Sequence, residues 1–278
     1  MPSLGWVFLS SLAWVATDVL RKRLAESIGA APLGALLALG SVVAFLPWWV
    51  VTGGSVAPGY LAPALLSLAT NITSSLLIIV ALHRGELGVV VPLLALTPVL
   101  SALGDWLVGG PPPSPRQALG IGLVLLGAIA LQLKGRRLRM DASAGLAVGV
   151  AVLFSMTAVS DGIALQHCPA SLHGLIQSSG MALGLGLIAS FQAQGARLRP
   201  PPGTRALLAA TVGAFVVGYA AQLVALEQVA VSHHETVKRA VGMLGALAAG
   251  AVSFHEPLTV QRVGAVLGML LGVAFVLL

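Results

Sequence analysis

The residues best able to do chemistry in this 278-residue chain lie together in "HHETVKRAVGMLGALAAG", residues 233–250. On a helix, Glu235 stands three residues before Lys238 and four before Arg239, close enough to touch either. One carboxylate neutralises one cation, so a positive charge is left over. Adjacent helix positions point about 100° apart, and a group with several oxygens can therefore engage Lys238 and Arg239 together from the side. Arginine offers a planar fork of donors and lysine a point charge, a combination suited to phosphate or carboxylate. The pattern reads as a site for an anion, with Glu235 partly neutralising the pair and His234 one turn before Lys238. Asp161 and Asp18 are the other acids able to meet the surplus charge. Lys22 lies one turn after Asp18, while Arg21–Arg23 reads as the end of the first helix.

Weaker polar positions surround these. Asn71 sits in "TNITSS" with Thr73, Ser74 and Ser75, and Tyr219 and Gln222 are one turn apart. His173 and Gln177 are also one turn apart and would share a cavity face. Each can bind a solute, and each can equally hydrogen-bond a neighbouring helix. Hydrolytic metal chemistry fits poorly. "HETVK" and "HEPLT" open like the zinc motif H-E-x-x-H, but Lys238 and Thr259 stand where the second histidine is needed. The stretches "IASFQAQG" and "AVGMLG" hold neither G-x-S-x-G nor a phosphate-loop spacing. No enzyme activity, cofactor or metal is expected. Cys168, the single cysteine, precludes an intrachain disulfide and reads as inert packing.

The elements around these charges decide what they mean. Only 9% of residues are charged and 57% are hydrophobic, against about 25% charged in a soluble domain. Mean hydropathy is +0.97. The expectation is an all-α integral membrane protein, whose pI near 10.5 reports topology rather than nucleic-acid binding. A span takes about 20 apolar residues, and ten fit: about 4–24, 31–52, 59–82, 88–109, 115–133, 144–166, 171–192, 204–228, 232–254 and 259–278. The breaks between them, such as "GGPPPSPR" and "KGRRLRMD", are Gly/Pro-rich or charged. No cleavable signal peptide is visible around Leu4. Starting the ninth span after Arg239 would leave only residues 240–254, about 23 Å of helix and short of a ~30 Å hydrocarbon core. Starting it near Ser232 gives a normal length and carries Lys238 and Arg239 into the membrane, at roughly 5–7 kcal/mol on insertion scales. Ionisable residues held there are functional by default.

Segments recur at an offset of 143–144 residues. "WVATDVLRKRLAESIGAAPLGALL" aligns with "SMTAVSDGIALQHCPASLHGLI", setting Asp18 against Asp161; "ALHRGELGVVVP" aligns with "ALEQVAVSHHET". Five spans repeated must reverse orientation. Two inverted five-helix repeats follow, at residues 1–134 and 143–278, joined by a basic linker at 135–142. That is a transporter signature, with the site near the midplane between the halves. Twelve of the fifteen cations fall in connections after odd-numbered spans, and the positive-inside rule then puts both termini outside the cytoplasm. Gly264, Gly268 and Gly272 line one face of the tenth helix, and Gly180 and Gly184 one of the seventh. Such stripes serve close packing, within the chain or across a homodimer seam.

The patterns "ALHRGELGVVVPLLALTPVLSALGDWLVGG…SPRQALGIGLVLLGAIAL" and "VKRAVGMLGALAAGAVSFHEPLTVQRVGAVLGMLLGV" resemble the drug/metabolite transporter superfamily in its EamA-like branch. The likeness is clearest over 81–133 and 225–278. Such families carry a Gly-Glu pair after the fourth and ninth helices. Here the fourth ends in "GGPPPSP" and only Glu256 of "FHEP" remains, so the two loops are not expected to act symmetrically. "ETVKRAVGMLGALAAGAVSFHEPL" is similar to the ninth helix of the sugar-phosphate translocators, and that resemblance implies that Lys238 and Arg239 grip a substrate's phosphate. The expectation is a secondary transporter of a bacterial inner membrane, moving a small anionic metabolite, phosphorylated ones included, by alternating access. A flippase for a phosphorylated lipid and an exporter of amino acids or drugs are the alternatives. Partners would be the solute and membrane lipids, with no nucleic acid.

Overall fold

The computed structural model describes residues 2–100, 112–134, 137–138, 141–192, 201–229 and 231–277. Nearly all of them are helical: α1 (Pro2–Leu24), α2 (Ala30–Thr52), α3 (Leu61–Arg84), α4 (Leu87–Leu93), α5 (Pro115–Gln132), α6 (Ala142–Ala164), α7 (Ala170–Phe191), α8 (Arg205–Leu226), α9 (Val231–Phe254) and α10 (Val260–Leu277). Among the described residues, eight helices are long and apolar enough to cross a membrane, with shorter apolar helices at 87–100 and 260–275. The chain is an all-α, multi-pass integral membrane protein.

Its surface is the reverse of a soluble protein's. Val51, Phe191 and Val260 are more than four-fifths exposed, whereas Ser10, Ser41, Ser67 and Thr211 are fully buried. Lipid solvates the first group. The second donates its hydroxyls to acceptors within the protein, as Ser41 does to Leu37 O at 3.1 Å and Thr211 to Leu207 O at 2.7 Å, because no water competes for them in hydrocarbon.

Local sequence sets the helix ends. Asp141 accepts the Ala144 N–H at 2.9 Å to start α6, and Ser114 and Gln117 form a capping box at the start of α5. Gly53 ends α2 at φ 69°, a conformation that a side chain disfavours. The fourth span departs from the continuous helix expected over 88–109. It stops at Leu93, turns through Leu94 and Ala95, and resumes at 96–100. Pro98 has no N–H to give Leu94 O, and its ring crowds that carbonyl. The Thr97 N–H takes the acceptor instead, at 2.9 Å. The rest of that expected span, with Asp105, lies outside the described residues.

Packing joins one half of the chain to the other. α1 packs chiefly on α8, α2 on α7, α3 on α6, α4 on α9 and α5 on α10. This pattern is unchanged when the halves are exchanged. Gly174 lets α7 close on α2, since a Cβ there would lie 2.1 Å from the Phe45 ring. Gly180 and Gly184 meet Leu68 and Ile72 of α3 in the same way, so the stripe on the seventh helix is internal packing. On α10 the stripe divides. A Cβ on Gly272 would strike Gly120 O of α5 at 2.7 Å, but one on Gly264 or Gly268 would meet nothing. At the basic linker, residues 133–134 and 137–138 pair as a short antiparallel hairpin.

Candidate functional site

A cavity of about 90 Å³ lies between the halves, room for several waters at roughly 10–15 Å³ each. Of the residues singled out as solute-binding in the sequence, Asp18, Asn71, Asp161, Tyr219, Gln222, Glu235, Lys238 and Arg239 line it. Lys22, Gln177 and His234 do not.

The charged turn of α9 forms one wall. This helix has 24 residues, about 36 Å at 1.5 Å each, and Lys238 stands two turns inside it. Glu235 does more than the single neutralisation expected of it. It pairs with Lys238 Nζ and also accepts from Arg239 Nη2 at 3.1 Å. Lys238 Nζ donates to Gln222 Oε1 at 3.1 Å, and the same oxygen accepts the Trp14 Nε1–H at 3.0 Å. The Arg239 guanidinium lies 5.3 Å from the Phe154 ring centroid, a cation–π distance. Its buried Nε has no hydrogen-bond partner.

α1 supplies a second wall. Arg21, Lys22 and Arg23 stand in its last turn, as expected of a helix end, but Arg21 also turns inward. Arg21 is only 4% exposed and lines the cavity. It lies 3.8 Å from Asp18, with its guanidinium 4.9 Å from the Phe215 ring centroid. The i, i+3 spacing of Asp18 and Arg21 was the available signal. Trp14, Phe154 and Phe215 also line the cavity, and an aromatic in an apolar span carries no signal that separates it from packing.

The three displaced residues have physical reasons for their places. Lys22 turns to the end of the bundle, where it donates to Gly85 O and lies 3.4 Å from Glu256 Oε1. Glu256 in turn accepts the N–H groups of Leu87 at 2.6 Å and Gly88 at 2.8 Å, the open donors of the α4 start. Gln177 donates to Ala64 O of α3 at 2.8 Å. His173 is fully buried between Tyr60 and Asp161, so the cavity face expected of this pair is turned to α3. His234 precedes Glu235 by one position and so points about 100° away from it; its Nδ1 lies 3.5 Å from Glu235 Oε1, behind the wall.

α6 brings Asp161. Its Oδ1 accepts from Ser67 Oγ and from His173 Nε2, the latter at 3.2 Å, while Oδ2 has no partner. Asn71 Nδ2 donates to Ser67 Oγ at 3.2 Å. Among the residues lining the cavity, Asp18, Asp161 and Glu235 face Arg21, Lys238 and Arg239, a formal balance of charge. Cys168, in the connection between α6 and α7, is 4% exposed, and burial pushes its thiol up to about 11.

Known proteins bear on this arrangement in two ways. Residues 1–132, spanning α1 to α5, match the EamA-like transporter family; the match implies a membrane transporter of small molecules. A solved structure titled "Crystal structure of protein" aligns over 99% of this chain and 96% of its own, with a TM-score of 0.73 at 14% identity. The two share a fold. No curated protein matches the chain.

Proposed function

We propose that this chain is a secondary transporter of a bacterial inner membrane, moving a small anionic metabolite by alternating access. Lys238 and Arg239 hold the anionic group. The observation that carries this reading is the charged turn of α9, where two cations share one carboxylate at the wall of a cavity and Arg239 Nε keeps an unmatched donor. A phosphate or carboxylate would complete that set with charge-assisted bonds. Phosphate is favoured by the likeness of "ETVKRAVGMLGALAAGAVSFHEPL" to the sugar-phosphate translocators. Tyr219, whose buried hydroxyl has no partner, and Asn71 offer neutral contacts to the rest of the solute. Helix pairing that survives exchange of the halves supports two inverted repeats rocking about a fixed site.

An exporter of amino acids or drugs is the second reading, and one observation favours it: three acids balance three cations in the lining. A thermal-shift screen of purified protein separates the two, because a ligand of the folded state stabilises it by mass action. A phosphorylated or carboxylated metabolite should raise Tm in the wild type and fail to do so in Lys238→Ala and Arg239→Ala. Stabilisation by a neutral drug or amino acid that survives both substitutions would sink the anionic reading.

A further inference from the structure

The α1 wall of the cavity carries its own charged pair, Asp18 and Arg21. Their charges cancel, but their hydrogen-bonding groups do not meet. Arg21 Nη1 lies 3.8 Å from Asp18 Oδ1, beyond hydrogen-bond length. Among the described residues neither side chain makes a hydrogen bond, and Arg21 Nε is buried without a partner. Packing fixes this arrangement. The guanidinium lies 4.9 Å from the Phe215 ring centroid and 5.7 Å from that of Trp14. Aromatic faces attract a cation, but they leave its in-plane N–H groups open. Trp14 is fixed in turn, because its Nε1–H goes to Gln222 Oε1, the oxygen that also takes Lys238 Nζ. Arg21 and Lys238 are thus set on one framework. Asp18 is within electrostatic reach of Lys238 and Arg239 as well as Arg21.

We propose that Asp18 and Arg21 form a second subsite, which binds an uncharged group able to donate and accept at once, a hydroxyl being the simplest. The solute is then a hydroxylated anion, with its acid on Lys238 and Arg239 and its hydroxyl on α1. This rests on the anionic reading of the Lys238–Arg239 site. Atoms 3.8 Å apart can both reach one oxygen at hydrogen-bond length. A hydroxyl there donates to the Asp18 carboxylate and accepts from Arg21. The cavity has room for water to do the same until the solute replaces it. Charged groups fit less well. An ammonium would meet Asp18 but face Arg21, and a second carboxylate would meet Arg21 but face Asp18. A methyl group would displace the water and leave both charges without hydrogen bonds. A site built to hydrogen-bond a hydroxyl rejects the analogue lacking it more strongly than an apolar pocket rejects one methylene.

The test uses the full chain in lipid nanodiscs and four phosphate esters of nearly equal size: hydroxyethyl, propyl, aminoethyl and carboxymethyl phosphate. Calorimetric titrations are run at one mildly alkaline pH, where the esters carry their full charge. In the wild type, hydroxyethyl phosphate should bind about tenfold or more tighter than propyl phosphate, as hydrogen bonds to charged groups imply. Each substitution should then redirect the preference. Asp18→Asn leaves Arg21 without its acid, so carboxymethyl phosphate should overtake hydroxyethyl phosphate. Arg21→Met keeps an apolar stem against Phe215 and frees Asp18, so aminoethyl phosphate should become the tightest of the four. If Arg21→Met fails to fold, Asp18→Asn alone decides. Equal binding of the hydroxyethyl and propyl esters in the wild type overturns the subsite. So does an order of affinities that neither substitution changes. In both cases the anion site stands if Lys238→Ala still abolishes binding. If none of the four esters binds the wild type, the subsite falls together with the anionic reading itself.

Discussion

α4 and α9 hold matching places in the two halves, 144 residues apart in the sequence alignment, yet they treat the cavity in opposite ways. Val91 and Leu94 line it from the first half; Glu235 and Lys238, their counterparts, line it from the second. The difference in backbone explains why charge sits on one side. A carboxylate serving cations at i+3 and i+4 needs regular α-helix beneath all of them, and α9 runs unbroken through its 24 residues. The first half turns at Leu94 and Ala95, where the hydrogen bonds reach back only three residues. One wall is therefore fit to anchor a charged group and the other to cover an apolar body.

The largest test of that contrast is Glu235→Gln. It leaves Lys238 and Arg239 buried without their shared acid and should cost about 3–5 kcal/mol, read as a lower Tm in detergent. An unchanged Tm would mean that the cluster is wetter than the packing shows. Leu94→Lys puts a cation on the apolar wall and should cost about 2.5–3.5 kcal/mol. Adding Val91→Glu in the same chain should recover only part of this, because the turn spoils the spacing; full recovery would remove the backbone explanation. Arg239→Ala should weaken the anion's binding about tenfold or more, as expected for loss of a hydrogen bond to a charged group, whereas Leu94→Ala should leave anion affinity unchanged in the same titration. Smallest is the contrast on α10. Gly268→Ala should stabilise by about 0.5–1 kcal/mol, since alanine is the better helix former, while Gly272→Ala should destabilise through its clash with Gly120 O. Equal responses in a thermal melt would mean that both faces of α10 are covered.

The architecture was legible because lipid makes simple demands: apolar runs of sufficient length, with charges and Gly/Pro between them. The α9 cluster was legible for the related reason that charge in such a run is expensive. Arg21 was not, because three cations at a helix end look like a topology signal until one of them folds back over Phe215. His173 was assigned to the cavity when it serves Asp161 from the far side. A single sequence shows which residues share a helix face, but it does not show which neighbour that face meets. The break at Leu94 is written in Pro98, which a count of uninterrupted apolar residues does not register.

Glu256 caps the first N–H groups of α4 across 169 residues of chain. At roughly 5–20 residues per second, synthesis needs about 8–34 s to deliver that carboxylate after Leu87 has been made. During the interval the start of α4 has its donors open, and the translocation machinery or lipid headgroups must serve them. Final closure of this end of the bundle therefore belongs to the last helix pair to emerge. Hydrogen exchange at Leu87 and Gly88 should be fast in nascent chains stalled before Glu256 and slow in the completed protein.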